Sequence, residues 1–313
     1  MLQRINRFGR RAAAASATLV LVAAVANADG SPAVSQAPPP EVRVAAAPQA
    51  DDTCDTKSSL PPAKNVNGAK IQKIRAAGTL VVGIDLNSYH WGYRNPGTGK
   101  IEGFDIDLAH AIAASVLGDP NKITYKAVPT ARRIDALKSG EVDMIVRTMT
   151  ITCDRLKDIS FSVPYFRVSQ SAVVPVSAPE AATIDQALVG KRVCAADKSS
   201  SSTELATGKY PATSVTIVEN QLDCLVLMQL GKIDTTLADT VLAYAQAAQD
   251  PGVRVEKPRI VPAYMGVGMN KADTDLIAWV NQVIADYRSS GGWQTSYDQW
   301  LRPTMEDPGQ YLP

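Results

Sequence analysis

One pattern, used twice, does most to limit what this chain can become. It runs from a helix carrying Ile134 and Leu137, through Gly140, into a strand with Val142, Met144 and Val146, and ends on polar Thr148 and Thr150. The same order returns later: helix from Leu222 to Leu230, Gly231, strand from Ile233 to Ala238, then Asp239 and Thr240. A helix stopped by glycine and followed by a strand with a polar end is the unit of an α/β sheet that opens a site at its strand ends. After Phe166 the pattern restarts with a strand at Ala172–Val176, a short helix at Ile184–Leu188 and a strand at Gly190–Ala195, so two α/β halves are expected.

The first half begins with a short helix holding Ile71 and Ile74, which Gly78 can terminate. Leu80–Ile84 is a continuous apolar run ending in Asp85, as a buried parallel strand looks when it opens on a site. Tyr89 and Trp91 follow as candidate wall aromatics, although such rings are more often packing. Phe104, Leu108, Ile112 and Val116 recur every four residues before Gly118 and describe an amphipathic helix. Thr130 is placed to cap the next helix. Val142, Met144 and Val146 alternate with polar neighbours, as in a half-buried strand.

Beyond that strand, Thr148, Thr150 and Thr152 fall at period two and share one side of an extended chain, with Arg155 a few residues further on. A hydroxyl row leading to a guanidinium suits a carboxylate, because the planar fork donates two parallel hydrogen bonds and stays charged. In the second half, Ser199, Ser200 and Ser201 stand at a helix start, where serine caps and free backbone N–H groups favour an anion. Asp239, on spacing alone, is an N-cap for the helix from Val241.

Charge and composition exclude several classes. Lys and Arg number 32 against 31 Asp and Glu, with no basic run or stripe, so nucleic-acid binding is not expected. The two histidines, His90 and His110, have no cysteine or acid beside them at ligand spacing, and no metal site is expected. Arg4, Arg7, Arg10 and Arg11 precede an apolar run to Ala26 and an Ala26-Asn27-Ala28 cleavage site, so residues 1–28 read as an export signal, or as an anchor if uncleaved. Residues 29–62, rich in Ala, Pro and Ser, read as a disordered leader.

Thr150-Ile151-Thr152, then Arg155, Phe161-Ser162 and Pro164-Tyr165, resemble the signature of bacterial extracellular solute-binding proteins for polar amino acids, the receptor subunits of ABC importers. The resemblance runs from about Ile71 to Leu301 and looks most like the actinobacterial glutamine/aspartate-type subgroup. It implies a two-lobed, type II periplasmic-binding-protein-like α/β fold, with lobe 1 at 63–168, lobe 2 at 169–263, a return to lobe 1 at 264–313, and two crossing strands between the lobes. It also implies a zwitterionic ligand in the cleft. The ligand's α-carboxylate would meet Arg155, the Thr150 region and the N–H groups near Ser200; its ammonium would meet Asp239 and the Thr148 carbonyl. Its side chain would face Asp85, which favours an amide, and Arg147, which favours a carboxylate, so the expected group is Gln, Asn, Glu and Asp. Two positions depart from the family: Lys198-Ser199 replaces a Gly-Thr turn, and Ala196 stands where a basic residue is usual.

The expectation is thus a monomeric, extracytoplasmic binding protein without cofactor or catalytic residues, partnered by a membrane permease or a signalling protein. The rival reading is an enzyme on the same fold, such as a dehydratase. No cysteine precedes Cys54, so the lipid-anchor motif of Gram-positive members is missing. Four cysteines in an exported chain suggest two disulfides with three possible connectivities. Cys194 with Cys224 is favoured, because a strand and the helix after the next strand of one lobe can be neighbours; Cys54 would then join Cys153.

Overall fold

The computed structural model describes residues 54–256, 262–305 and 307–313. The expected export signal and residues 29–53 of the expected leader lie outside the described residues.

Two five-stranded sheets are built to one plan. In the first, the strands Ile123–Ala127, Leu80–Ile84 and Met144–Ile145 run parallel, and Gly268–Met269 lies antiparallel between Met144–Ile145 and Ser160–Phe161. In the second, Ser214–Val218, Arg192–Ala196 and Thr235–Asp239 run parallel, and Gln170–Pro175 lies antiparallel between Thr235–Asp239 and Val253–Val255. The two helix–glycine–strand repeats therefore occupy equivalent places, each supplying the third parallel strand of its sheet. Phe166–Val168 and Ala263–Met265 pair antiparallel and carry the chain out of the first lobe and back.

The strand read as half buried is covered on both faces. Met144 and Val146 join one apolar cluster, and Val142 and Ile145 join another on the opposite side. A central parallel strand has no solvated face; its polar neighbour Asp143 instead accepts from the Val81 backbone N–H at the sheet end. Helix Phe104–Leu117 covers one face, and the terminal helices Thr274–Ser289 and Gly292–Trp300 pack on the same lobe. Trp293 donates its indole N–H to the Tyr165 carbonyl.

Gly103 is needed where the chain turns into Phe104–Leu117. Its φ is +132°, and an added Cβ would lie 2.4 Å from the Trp91 carbonyl oxygen. Gly103→Ala is expected to cost about 1–3 kcal/mol, read as a lower melting temperature in thermal unfolding; an unchanged melting temperature would show that the turn relaxes freely.

Both favoured disulfides are present, Cys54–Cys153 and Cys194–Cys224. The first corrects the leader expectation at its end, because residues 54–63 are docked rather than disordered. The Ser59 hydroxyl donates to the Phe161 carbonyl, Asn281 donates to Ser59 and to the Leu60 carbonyl, and the Ala63 N–H donates to the Ala278 carbonyl. Lys57 sits over the Tyr264 ring, 4.9 Å from its centroid.

Candidate functional site

A cavity lies where the carboxyl ends of the parallel strands of both sheets meet. Lobe 1 contributes Asp85, Thr130, Arg133, Arg147, Thr148, Thr150 and Arg155; lobe 2 contributes Ser199, Ser200, Ser201, Gln221 and Asp239. Sheets of this type bind ligands beyond the carboxyl ends of their strands.

The threonine row is broken. Regular strand stops at Ile145, and Thr148 takes φ +41°, an unusual conformation for a β-branched residue. Its N–H donates to Asp105 Oδ2 at 2.8 Å. Thr150 then bridges to Met265 and turns its hydroxyl to Asp239, while Thr152 caps the helix Cys153–Asp158 by accepting from the Arg155 N–H. Three threonines expected on one side thus go to three different partners.

Arg155, on that short helix, donates to the Thr150 carbonyl at 2.6 Å and, across the cleft, to the Lys198 carbonyl at 3.0 Å. Lys198 has φ +50°, so a non-glycine residue holds the left-handed turn that precedes Ser199. Ser199 itself caps Ser200–Ala206 by accepting from the Ser202 N–H, and the Ser201 hydroxyl turns to Gln170.

Asp239 occupies the N-cap position of Thr240–Ala247 but makes no side-chain cap bond. Its carboxylate accepts instead from Thr150 Oγ1 at 2.5 Å, Gln170 Nε2 at 2.5 Å and Ser200 Oγ at 3.1 Å. Burial pushes its carboxyl up, while the Thr150 and Ser200 hydroxyls and the guanidinium groups of Arg155 and Arg133 oppose the rise. The Arg155 guanidinium is pushed down by burial and held up by Asp239.

Asp85 and Arg147 bind one another, at 3.0 Å. Asp85 also accepts from the Leu86 and Asn87 N–H groups and from the Ser88 hydroxyl, which fills the acceptor capacity of a carboxylate. Asp85, expected to take a ligand amide, lines the cavity with its carboxylate already meeting these three donors and Arg147. Arg147 also donates to Thr130 Oγ1, and its buried Nε has no partner among the described residues. Thr130 does not cap a helix.

Tyr89 and Trp91 do not line the cavity. Trp91 is 1% exposed and packs edge-on to Phe166 and against Phe104, while Tyr89 stacks on His90. The Trp91 backbone is tied to the start of Phe104–Leu117 by the Asp105 N–H, and its ring joins the core beneath. Among the described residues no aromatic lines the cavity.

Arg133 is the chief lining residue that the sequence reading passed over. It donates to the Thr130 and Lys198 carbonyls, and burial, with Arg155 and Arg147 nearby, pushes its guanidinium well down. The signal was an Arg132-Arg133 pair at a helix start, where cations oppose the helix dipole. Arg132 reaches out to Glu141; Arg133 turns inward.

Residues 80–303 match the family described as bacterial extracellular solute-binding proteins, family 3. The chain belongs to that family. Among its relatives, the ABC transporter glutamine-binding protein GlnH of Bacillus subtilis is 30% identical over 82% of this chain and 93% of its own. The glutamine-binding protein of Geobacillus stearothermophilus is 36% identical over 64% of this chain and 76% of its own. In fold, the chain superposes on the solute receptor for L-cysteine of Neisseria gonorrhoeae with a TM-score of 0.72, at 24% identity, covering 78% of this chain and all of that one. The two sheets, two crossing strands and shared cleft are thus the type II arrangement of this solute-binding family.

Proposed function

We propose that this chain is an extracytoplasmic receptor that captures a polar amino acid of the Gln, Asn, Glu and Asp group between its lobes and presents the closed complex to an ABC permease. One observation carries the reading: a single cavity holds a buried cation from lobe 1, Arg155, and a buried anion from lobe 2, Asp239, with Thr150 bonded to both. A zwitterion matches that pair with its carboxylate and ammonium. Because the two partners sit on different lobes, only closure satisfies both ligand charges, and binding shifts the population towards closure. The names of the relatives, for glutamine in two cases and glutamate in another, support an amino acid as ligand.

Charge narrows the group. Three lining arginines, Arg133, Arg147 and Arg155, face two lining aspartates, Asp85 and Asp239, which leaves one positive charge in excess. Asp105, its carboxyl pushed up by burial, lies behind the site and outside the lining. A ligand with one net negative charge relieves the imbalance, and Arg147, which lines the cavity, is the receptor for a side-chain carboxylate. A thermal-shift screen of the twenty amino acids is expected to give responses confined to Glu, Asp, Gln and Asn, with the two acids largest. A largest shift with arginine or lysine, or none with any amino acid, would overturn the reading.

A further inference from the structure

Gln170 stands just outside the cavity, yet three site residues meet on its amide. It is the first residue of Gln170–Pro175, two residues past the end of the crossing strand Phe166–Val168, and it is the cross-strand neighbour of Asp239. Its Nε2 donates to Asp239 Oδ1 at 2.5 Å and to Ser200 Oγ at 3.2 Å, while its Oε1 accepts from Ser201 Oγ at 2.7 Å. An ionised carboxylate only accepts, so the amide must turn its nitrogen towards Asp239. Ser201, 1% exposed, then has to donate to the oxygen, which locks that orientation.

We infer that Gln170 is a positioning residue for amino-group recognition, acting through Asp239. The inference rests on the assignment of Asp239 to the ligand ammonium under the proposed function. Two observations support it besides the hydrogen bonds. Asp239 has given up the cap bond that its place at a helix start offers, so its carboxylate is held by groups other than its own helix. Of its three donors, Thr150 arrives from the opposite lobe, whereas Gln170 and Ser200 share the lobe of Asp239. When the lobes part, the Thr150 bond is lost, and Gln170 with Ser200 keeps the carboxylate oriented for an arriving ammonium. Ser200 also helps to hold Asp239 ionised against burial.

The test compares two probes, L-glutamate and glutarate, the same dicarboxylate without the amino group, titrated calorimetrically into the unaltered mature protein and into Gln170→Met. Methionine keeps the length of the side chain and removes both polar atoms. The unaltered protein is expected to bind glutamate much more tightly than glutarate. In Gln170→Met, glutamate binding falls roughly tenfold to a hundredfold, as for a hydrogen bond to a charged group, while glutarate binding stays within about twofold. Ser201→Ala, which frees the amide to rotate, shows a smaller loss with the same selectivity and covers the case in which the methionine variant fails to fold. An equal loss for both probes would assign Gln170 a merely structural role, and undiminished glutamate binding would give it none; either result overturns the inference while leaving the receptor reading in place. An unaltered protein that does not tell the probes apart removes Asp239 from ammonium recognition, and the role of Gln170 with it.

Discussion

Asp239→Ala is expected to weaken amino-acid binding by about 3–5 kcal/mol, or roughly a hundred- to several thousandfold in Kd. The loss is large because the site is buried: Asp239 is 5% exposed, and an ammonium brought beside the alanine would be left without a counter-charge. The substitution also strands the donors of Thr150, Gln170 and Ser200 and removes the anion that offsets Arg155 and Arg133. Titration calorimetry with L-glutamate reads the effect directly. Binding at full strength would mean that the ammonium is held elsewhere, and would break the link between ligand charge and lobe closure.

The second large effect concerns stability. Cys54–Cys153 closes a loop of sequence separation 99, whereas Cys194–Cys224 spans 30. In the chain-entropy account, a loop of about 100 residues contributes about 4.7 kcal/mol and one of about 30 residues about 3.5 kcal/mol. Replacing both cysteines of the first pair by serine is therefore expected to destabilise the protein more than replacing both of the second. Urea unfolding of the two double variants compares them. The first variant also frees the strap of residues 54–63 from the helix that carries Arg155, so its affinity for glutamate should fall along with its stability. A larger loss in the Cys194–Cys224 variant would show that strap docking at Ser59, Leu60 and Ala63 holds without the disulfide.

The sequence speaks clearly where one local choice decides the structure. Gly78 and Gly118 end their helices in left-handed conformations, as expected of glycine. The apolar run at Leu80–Ile84 has one solution, a buried strand, and the doubled helix–glycine–strand unit announced two sheets of like plan. It speaks poorly where partners are distant in sequence or where a residue leaves its usual conformation. Extended spacing was the natural reading of Thr148, Thr150 and Thr152, since β-branched residues rarely take positive φ; Thr148 does so with its N–H tied to Asp105. Asp85 and Arg147 looked like competing receptors because nothing local shows that they bind one another. Trp91 was a candidate wall aromatic although such rings are more often packing, and the contacts with Phe104 and Phe166 decide for packing. The Cys54–Leu60 stretch has no apolar period, yet it docks through a disulfide and side-chain hydrogen bonds that leave no periodic trace.

That docked stretch sets how the molecule bears load. Tension arriving through the chain before Cys54 enters the fold at Cys153, the first residue of the Arg155 helix, and spreads into Phe161, Ala278 and Asn281 of the same lobe. None of those contacts touches the second lobe. A pull applied at Cys54 would therefore load the half that carries the arginines directly, and would reach the half that carries Asp239 only through the two crossing strands, one of which holds Tyr264 beneath Lys57.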